Sequence, residues 1–247
     1  MRVGISIGTT FDPADSTRAP RSVLAQADAA VRAGLDSLTV GDRHSLAPNA
    51  YLQNVPLIGR ILGVWDQRPV GCLFLVPLWH PVLMAEQIGT LAAIAAAPFI
   101  IQAGAGDGQA QFAAMGKDLR DRAARTERGI RLVKALLDGE TVDDEEWNIK
   151  GAHIAPRPAH GTEWWIGGSV QRSIDVEAER VGDSLVDAGY RGFERGAVAY
   201  GDPQSVAEQL APFGELGFTD IIIRTMTRGE SAVRTVELAG ELGAILA

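Results

Sequence analysis

Cysteine is almost absent: Cys72 is the only one in 247 residues. An intramolecular disulfide is therefore impossible, and a cysteine-based zinc site has too few ligands. An unstapled interior of this kind suits a reducing cytoplasm. Long apolar runs are missing too. The longest, Val70 to Trp79 and Leu91 to Ile101, are broken by Pro77 and Pro98 and are too short to span a bilayer. Met1 to Ile7 carries one early Arg but neither the apolar stretch nor the cleavage site of a secretory leader. Basic charge is in deficit, since 23 Lys+Arg against 31 Asp+Glu leave a formal net charge of -8. That is the wrong sign for steering onto phosphate backbones or anionic lipid, so nucleic acid and membrane surfaces fall away as partners. The composition is otherwise ordinary, with 46% hydrophobic, 22% charged and 6% aromatic residues, 28 Gly and 12 Pro, which excludes collagen-like, coiled-coil and disordered chains. These features predict a soluble cytoplasmic protein.

The hydrophobic pattern alternates strand with helix. Val3 to Ile7 reads as a strand, followed by a loop and a helix from Ser22 to Ala33 that stops at Gly34. Asp36 to Val40 is a second strand, and Val70 to Val76 a third that is apolar on both faces, as in a parallel sheet covered by helices. Pro81 to Ala95 carries apolar residues at helical spacing, and Phe99 to Ala103 follows as a strand. Asp118 to Leu137 is the clearest helix, with Gly139 as its stop. Its arginines, Arg120, Arg122, Arg125, Arg128 and Arg131, alternate with acids at spacings of three and four, which marks a solvated, salt-bridged face. Thr141 to Gly161 is a polar excursion of lid or hairpin length.

Glu163 to Ile166, Ser184 to Val186, Ala197 to Tyr200 and Thr219 to Arg224 complete eight candidate strands. A helix follows Gly167-Gly168-Ser169 as far as Val181. A second opens at Asp202-Pro203, an N-cap followed by Pro at the first helical position, and Ser231 to Leu246 is the last. Eight parallel strands alternating with helices specify an α/β fold, the TIM (β/α)8 barrel, as a single domain over residues 1–247. The region between the sixth and seventh strands is shortened: only about ten residues separate Val186 from Ala197, fewer than a parallel crossover usually needs.

In such barrels the chemistry sits where strands hand over to the following loops. Candidates there are Ser6, Gly41-Asp42-Arg43-His44, His80-Pro81, Gln102 to Gly108 and Gly167-Gly168-Ser169. His44 and His80 read as a proton donor, a ring contact or loop anchors. Asp42 and His44 are suitable metal ligands, but no second acidic or histidine cluster completes a site, so no metal is expected. Gly167 to Ser169 either offers backbone N–H groups and a helix N-terminus to an anion or makes a tight barrel turn. Cys72 has no cation beside it to activate a thiol and reads as core.

Together these segments resemble the bacterial luciferase-like monooxygenases. The residues that carry the resemblance are Val40 to His44 with Tyr51-Leu52-Gln53-Asn54-Val55-Pro56, Gly71 to Pro81, Phe99 to Gly106, Trp165 to Ser169 and Gly201-Asp202-Pro203. The resemblance implies a luciferase-like oxidoreductase that uses reduced FMN or coenzyme F420 on a small organic substrate, works as a homodimer and draws on a flavin reductase. It places a non-prolyl cis peptide behind the flavin ring at Cys72-Leu73. It assigns Ser6, Asp42, Cys72, Leu73, Gln102, Gly104, Ala105, Gly106, Gly167, Gly168 and Ser169 to the cofactor, Arg43, Trp79 and His80 to the substrate pocket, and catalysis to His44. Luciferases proper carry an acid-His-His run, and here Arg43 replaces its first His. An acidic chain with no basic cluster beyond one helix face offers little to a deazaflavin's anionic tail, a slight lean to FMN. The shortened region and Arg43 motivate an alternative, a non-catalytic flavin-binding relative with an incomplete barrel.

Overall fold

The computed structural model describes residues 1–45, 48–65, 67–166, 199 and 201–247. Their contacts fall into two compact units. One holds Met1–Gly8, Arg18–Thr39 and the described chain beyond Gly168; the other holds Thr9–Thr17 and Val40–Gly167.

In the first unit, strand β1 (Arg2–Ile7) lies between β3 (Ser37–Val40) and β10 (Asp220–Arg224). β1 and β10 are parallel, in register from Arg2 opposite Asp220 to Ser6 opposite Arg224. Gly4 permits the close approach of β1 and β3, because a Cβ there would stand 2.0 Å from the Ser37 hydroxyl oxygen. The Asp36 carboxylate ties the same two segments by accepting the Val3 N–H at 2.7 Å. Helix α1 (Ala19–Arg32) buries Val23, Ala27, Ala29 and Ala30. Beyond residue 200, Asp202 caps the helix Pro203–Glu215 by accepting the Ser205 N–H at 3.0 Å, as its sequence predicts. The helix Glu230–Leu246 closes the chain.

The second unit carries the three parallel strands β5 (Val70–Leu75), β6 (Phe99–Gly104) and β9 (Thr162–Ile166), with β6 central. Val70, Cys72, Phe74, Phe99, Ile100 and Ile101 are all buried, which accounts for the two-faced apolar pattern of these segments. Pro77 ends β5 one residue earlier than the pattern predicts, in a short 3-10 turn from Val76 to Leu78. Helices α2 (Asn54–Ile61), α3 (Pro81–Ile94), α4 (Gln109–Ala114) and α5 (Arg122–Asp138) complete the unit. The predicted helix from Asp118 is divided: Asp118 caps a 3-10 turn by accepting the Arg120 N–H, and α5 proper starts at Arg122.

The arginine face of α5 is salt-bridged, but Arg125, only 13% exposed, and Arg128 pair with acids of the polar excursion rather than with the interleaved acids that the sequence suggests. Arg125 meets Glu146 at 2.8 Å, Arg128 meets Asp144 at 2.5 Å and Arg131 meets Glu127 at 3.5 Å. The polar excursion holds an antiparallel hairpin of β7 (Val142–Asp144) and β8 (Ile149–Ala152). A two-residue ladder between β2 (Thr10–Phe11) and β4 (Ala50–Tyr51) has no counterpart in the sequence reading. Six of the eight expected strands lie among the described residues. The helix from Ser169, the strand at Ser184 to Val186 and the shortened region lie outside them, as does the strand at Ala197 to Tyr200 except for Ala199, which is buried. Among the described residues no helix is long and apolar enough to cross a membrane.

Candidate functional site

The chain leaves β3 through Gly41-Asp42-Arg43-His44, and the three polar side chains of that run divide between two directions. The Asp42 carboxylate is fully buried, 0% exposed, and the His44 side chain is 13% exposed, with Nε2 at 3.1 Å from Asp42 Oδ1. Asp42 Oδ2 accepts two hydrogen bonds, from the Leu75 N–H at the end of β5 and from the Trp79 indole N–H, each 2.8 Å. The Trp79 ring meets the His44 ring edge to face at 5.9 Å and packs on Phe74 at 5.2 Å. The intervening Arg43 goes elsewhere: its guanidinium lies 5.9 Å from the centre of the Tyr51 ring, and its carbonyl accepts from the Gln53 amide at 3.0 Å.

Two residues outside the expected set support this arrangement. Gln111, in the first turn of α4 and almost wholly buried, accepts the His44 backbone N–H through its side-chain oxygen at 2.8 Å. Asn54, 0% exposed at the start of α2, donates to the Leu73 carbonyl at 2.8 Å and accepts the Val55 N–H. Both satisfy polar groups that the loops would otherwise bury unpaired, a debt of about 1 to 3 kcal/mol for each group. Asn54 belongs to the motif that carries the resemblance. Gln111 has no signal in sequence, because its partner is 67 positions away.

Beside this pair, β5 and β6 present a low floor. Leu73 and Gln102 are register partners, as are Leu75 and Gly104, and both Leu73 and Gln102 are half-buried. The loop Gly104-Ala105-Gly106 needs its glycines. A Cβ on Gly104 would stand 3.2 Å from Leu73 Cδ1, and Gly106, at φ +74°, would bring one to 3.0 Å from the Phe112 ring. Cys72 faces the interior, fully buried; burial, and after it the nearby Asp42, push its thiol well above the ordinary value.

The remaining expected residues are distributed differently. His80, at the N-cap of α3, sets its ring edge-on against Trp147 of the hairpin at 5.7 Å, in a cluster with Arg125 and Lys117 over the same indole. It is not brought together with His44 and Trp79. Ser6, one residue before the end of β1, lies opposite Arg224 in the first unit. Gly167, Gly168 and Ser169 lie outside the described residues. Among the described residues, no group of three His, Cys, Asp or Glu stands ready to hold a metal ion.

A fully buried carboxylate, fixed on one oxygen and turned by the other toward an imidazole, is an arrangement for handling protons. Comparison with known proteins agrees with an enzymatic setting. A family model described as luciferase-like monooxygenase matches residues 1–195. The F420-dependent glucose-6-phosphate dehydrogenase of Beutenbergia cavernae is 29% identical over 189 residues, 71% of this chain and 55% of that one. The chain thus spans about half the length of this curated relative. Among solved structures, an F420-dependent secondary alcohol dehydrogenase in complex with an F420-acetone adduct is similar with a TM-score of 0.78 at 12% identity, covering 100% of this chain and 99% of that one. The oxygenating constituent of the 3,6-diketocamphane monooxygenase of Pseudomonas putida, in complex with FMN, gives 0.63 at 14% identity over 99% and 98%. These structural likenesses establish the fold: an α/β barrel of the luciferase-like type.

Proposed function

The chain belongs to the luciferase-like monooxygenase family, and on that premise we propose that residues 1–247 act as one barrel domain with oxidoreductase activity on a small organic substrate. The cofactor is reduced FMN or coenzyme F420, and His44 handles the proton. The observation that carries this reading is the buried Asp42–His44 pair in the loop after β3, braced by the Leu75 N–H and the Trp79 indole. The relatives whose names state a cofactor use F420 or FMN. The 29% identical relative, named as F420-dependent, supports F420 against the lean to FMN that the acidic composition suggests.

The residues present fit a flat ring system. Leu73 and Gln102 lie side by side, and the Gly104-Ala105-Gly106 loop adds no bulk beyond Ala105 Cβ where a planar group would rest on the strand ends. Leu73, Gln102 and that loop would hold the ring, with Ser6 and Gly167 to Ser169 proposed as further contacts. When bound, such a cofactor supplies or accepts a pair of electrons. The chain's own work is to position the substrate, exclude water with Trp79 and Leu73, and give or take a proton at His44. Arg43 and His80 are kept as outer substrate contacts. A flavin reductase goes with the FMN form, and a homodimer and cytoplasmic residence complete the proposal. The alternative of a non-catalytic flavin-binding relative is not favoured, because the relatives that the comparisons name are dehydrogenases and monooxygenases.

Turnover of wild type and His44→Ala with each reduced cofactor, over a panel of aldehydes, ketones and oxygenase substrates, tests the reading. Turnover should fall steeply in the variant while cofactor affinity stays within about twofold; equal turnover would remove His44 from the mechanism.

A further inference from the structure

On the reading that His44 moves a proton, we infer that Asp42 is a positioning residue that decides which nitrogen does so: it holds the Nε2–H form of the imidazole, and Nδ1 is the atom that exchanges a proton with the substrate oxygen. The carboxylate has no freedom to turn, because Oδ2 is fixed by the Leu75 N–H and the Trp79 indole N–H, both at 2.8 Å. Its other oxygen, Oδ1, faces His44 Nε2 at 3.1 Å. At that distance the two atoms do not meet the geometry of a hydrogen bond, and neither has a hydrogen-bond partner among the described residues. A bare Nε2 lone pair this close to a carboxylate oxygen would be repelled in a site shielded from water. The proton therefore sits on Nε2, and a neutral imidazole then has its one lone pair on Nδ1.

The rest of the site holds the ring in this pose. The His44 backbone N–H is tied to Gln111, and the Trp79 ring lies edge to face with the imidazole. The Asp-x-His spacing accounts for the pairing, since side chains two apart along an extended chain share a face. Arg43, between them, is left to Tyr51.

In the reducing direction, the substrate carbonyl oxygen takes the proton from the Nδ1 of doubly protonated His44, and a reduced cofactor, when bound, would supply the hydride that the carbonyl carbon gains. The products are the alcohol, the oxidised cofactor and neutral His44 with its proton on Nε2. Asp42 remains a carboxylate throughout and stabilises the imidazolium that precedes transfer.

The test is the protonation state of the ring nitrogens, read by 15N-edited NMR of histidine-labelled protein and assigned with His44→Gln. Wild type at a pH where His44 is neutral should show a protonated Nε2 and a bare Nδ1. In Asp42→Asn the amide oxygen can still accept from Leu75 and Trp79, so the NH2 faces Nε2, which must become an acceptor. The proton should move to Nδ1, and turnover should fall by about 10³-fold or more, the scale of loss seen where a positioning carboxylate is neutralised elsewhere. A bare Nε2 in wild type, or an unmoved proton in Asp42→Asn, would overturn the inference whatever His44 does in catalysis. A moved proton with undiminished turnover would overturn it through the proposed function, by taking His44 out of the chemistry. The wild-type spectrum alone tests the assignment should Asp42→Asn fail to fold.

Discussion

Replacing Gly71 with alanine should damage both the fold and the cofactor floor. Gly71 lies in β5 directly opposite Ile100 of β6. A Cβ there would stand 1.8 Å from the Ile100 carbonyl oxygen, 2.5 Å from its carbonyl carbon and 2.7 Å from its Cα, where real contacts stay beyond 3.0 Å. All three atoms are backbone, so no side-chain rotation relieves the clash, and the strands must part by about an ångström. Overpacking of this kind costs about 1 to 3 kcal/mol or more. Each ladder hydrogen bond lost as the strands part adds about 1 kcal/mol. Against this, alanine gains about 0.4 to 1 kcal/mol by restricting the unfolded chain. The net expectation is a loss of about 3 kcal/mol, which at this chain length lowers the melting temperature by about 6 to 12 °C. Urea and thermal denaturation followed by circular dichroism measure it. Gly41→Ala is the control, because a Cβ there meets nothing within 4 Å and its φ is not positive; that variant should stay within about 0.5 kcal/mol of wild type. A Gly71→Ala protein as stable as Gly41→Ala would refute the close approach of β5 and β6.

Other consequences can be checked independently. The Asp144 carboxyl is pushed up by its burial, but the Arg128 guanidinium and the Trp147 N–H outweigh this and hold it below its ordinary 3.8. Its contribution to stability is therefore complete above the unfolded value and lost as pH falls below about 4 through the folded one. Asp144→Asn should flatten that acid limb of the urea stability curve, and an unchanged limb would count against the pairing. Cys72, buried and with its thiol pushed up, should resist aromatic disulfide reagents at pH 8 in the native protein and react fully in urea; rapid native labelling would place it outside the core. Trp147→Ala should cost about 3 to 5 kcal/mol by removing the indole that Arg125, Lys117 and His80 surround. Hydrogen exchange should quicken first in the hairpin of β7 and β8, and a uniform change across the unit would argue against that anchoring role.

The barrel strands were legible because burial on both faces leaves an unbroken apolar run, as in Val70 to Leu75 and Phe99 to Ile101, and because Pro77, Gly139 and Asp202-Pro203 punctuate the chain by local backbone chemistry. Helix α4 was not legible, since six residues contain too few turns to show a period. The candidate site was visible as separate letters. Asp42 and His44 stood out at a strand end and Trp79 came only from the resemblance, yet their union depends on a hydrogen bond from an indole 37 positions away and on burial that no spacing encodes. Gln111 and Asn54 escaped for the same reason: a buried amide declares itself only when its backbone partner is in place. His80 shows the converse, because a histidine at a strand end can be drawn to a distant aromatic, here Trp147, rather than to its neighbour in sequence.

The central claim is that this barrel mouth binds a reduced flavin or deazaflavin. Titration of the purified protein with FMN and with coenzyme F420, each oxidised and reduced, followed by fluorescence and binding heat, tests it most directly. Micromolar or tighter binding of one reduced cofactor, retained in His44→Ala and weakened in Gly71→Ala, is the expected result; failure of all four forms to bind would contradict the account.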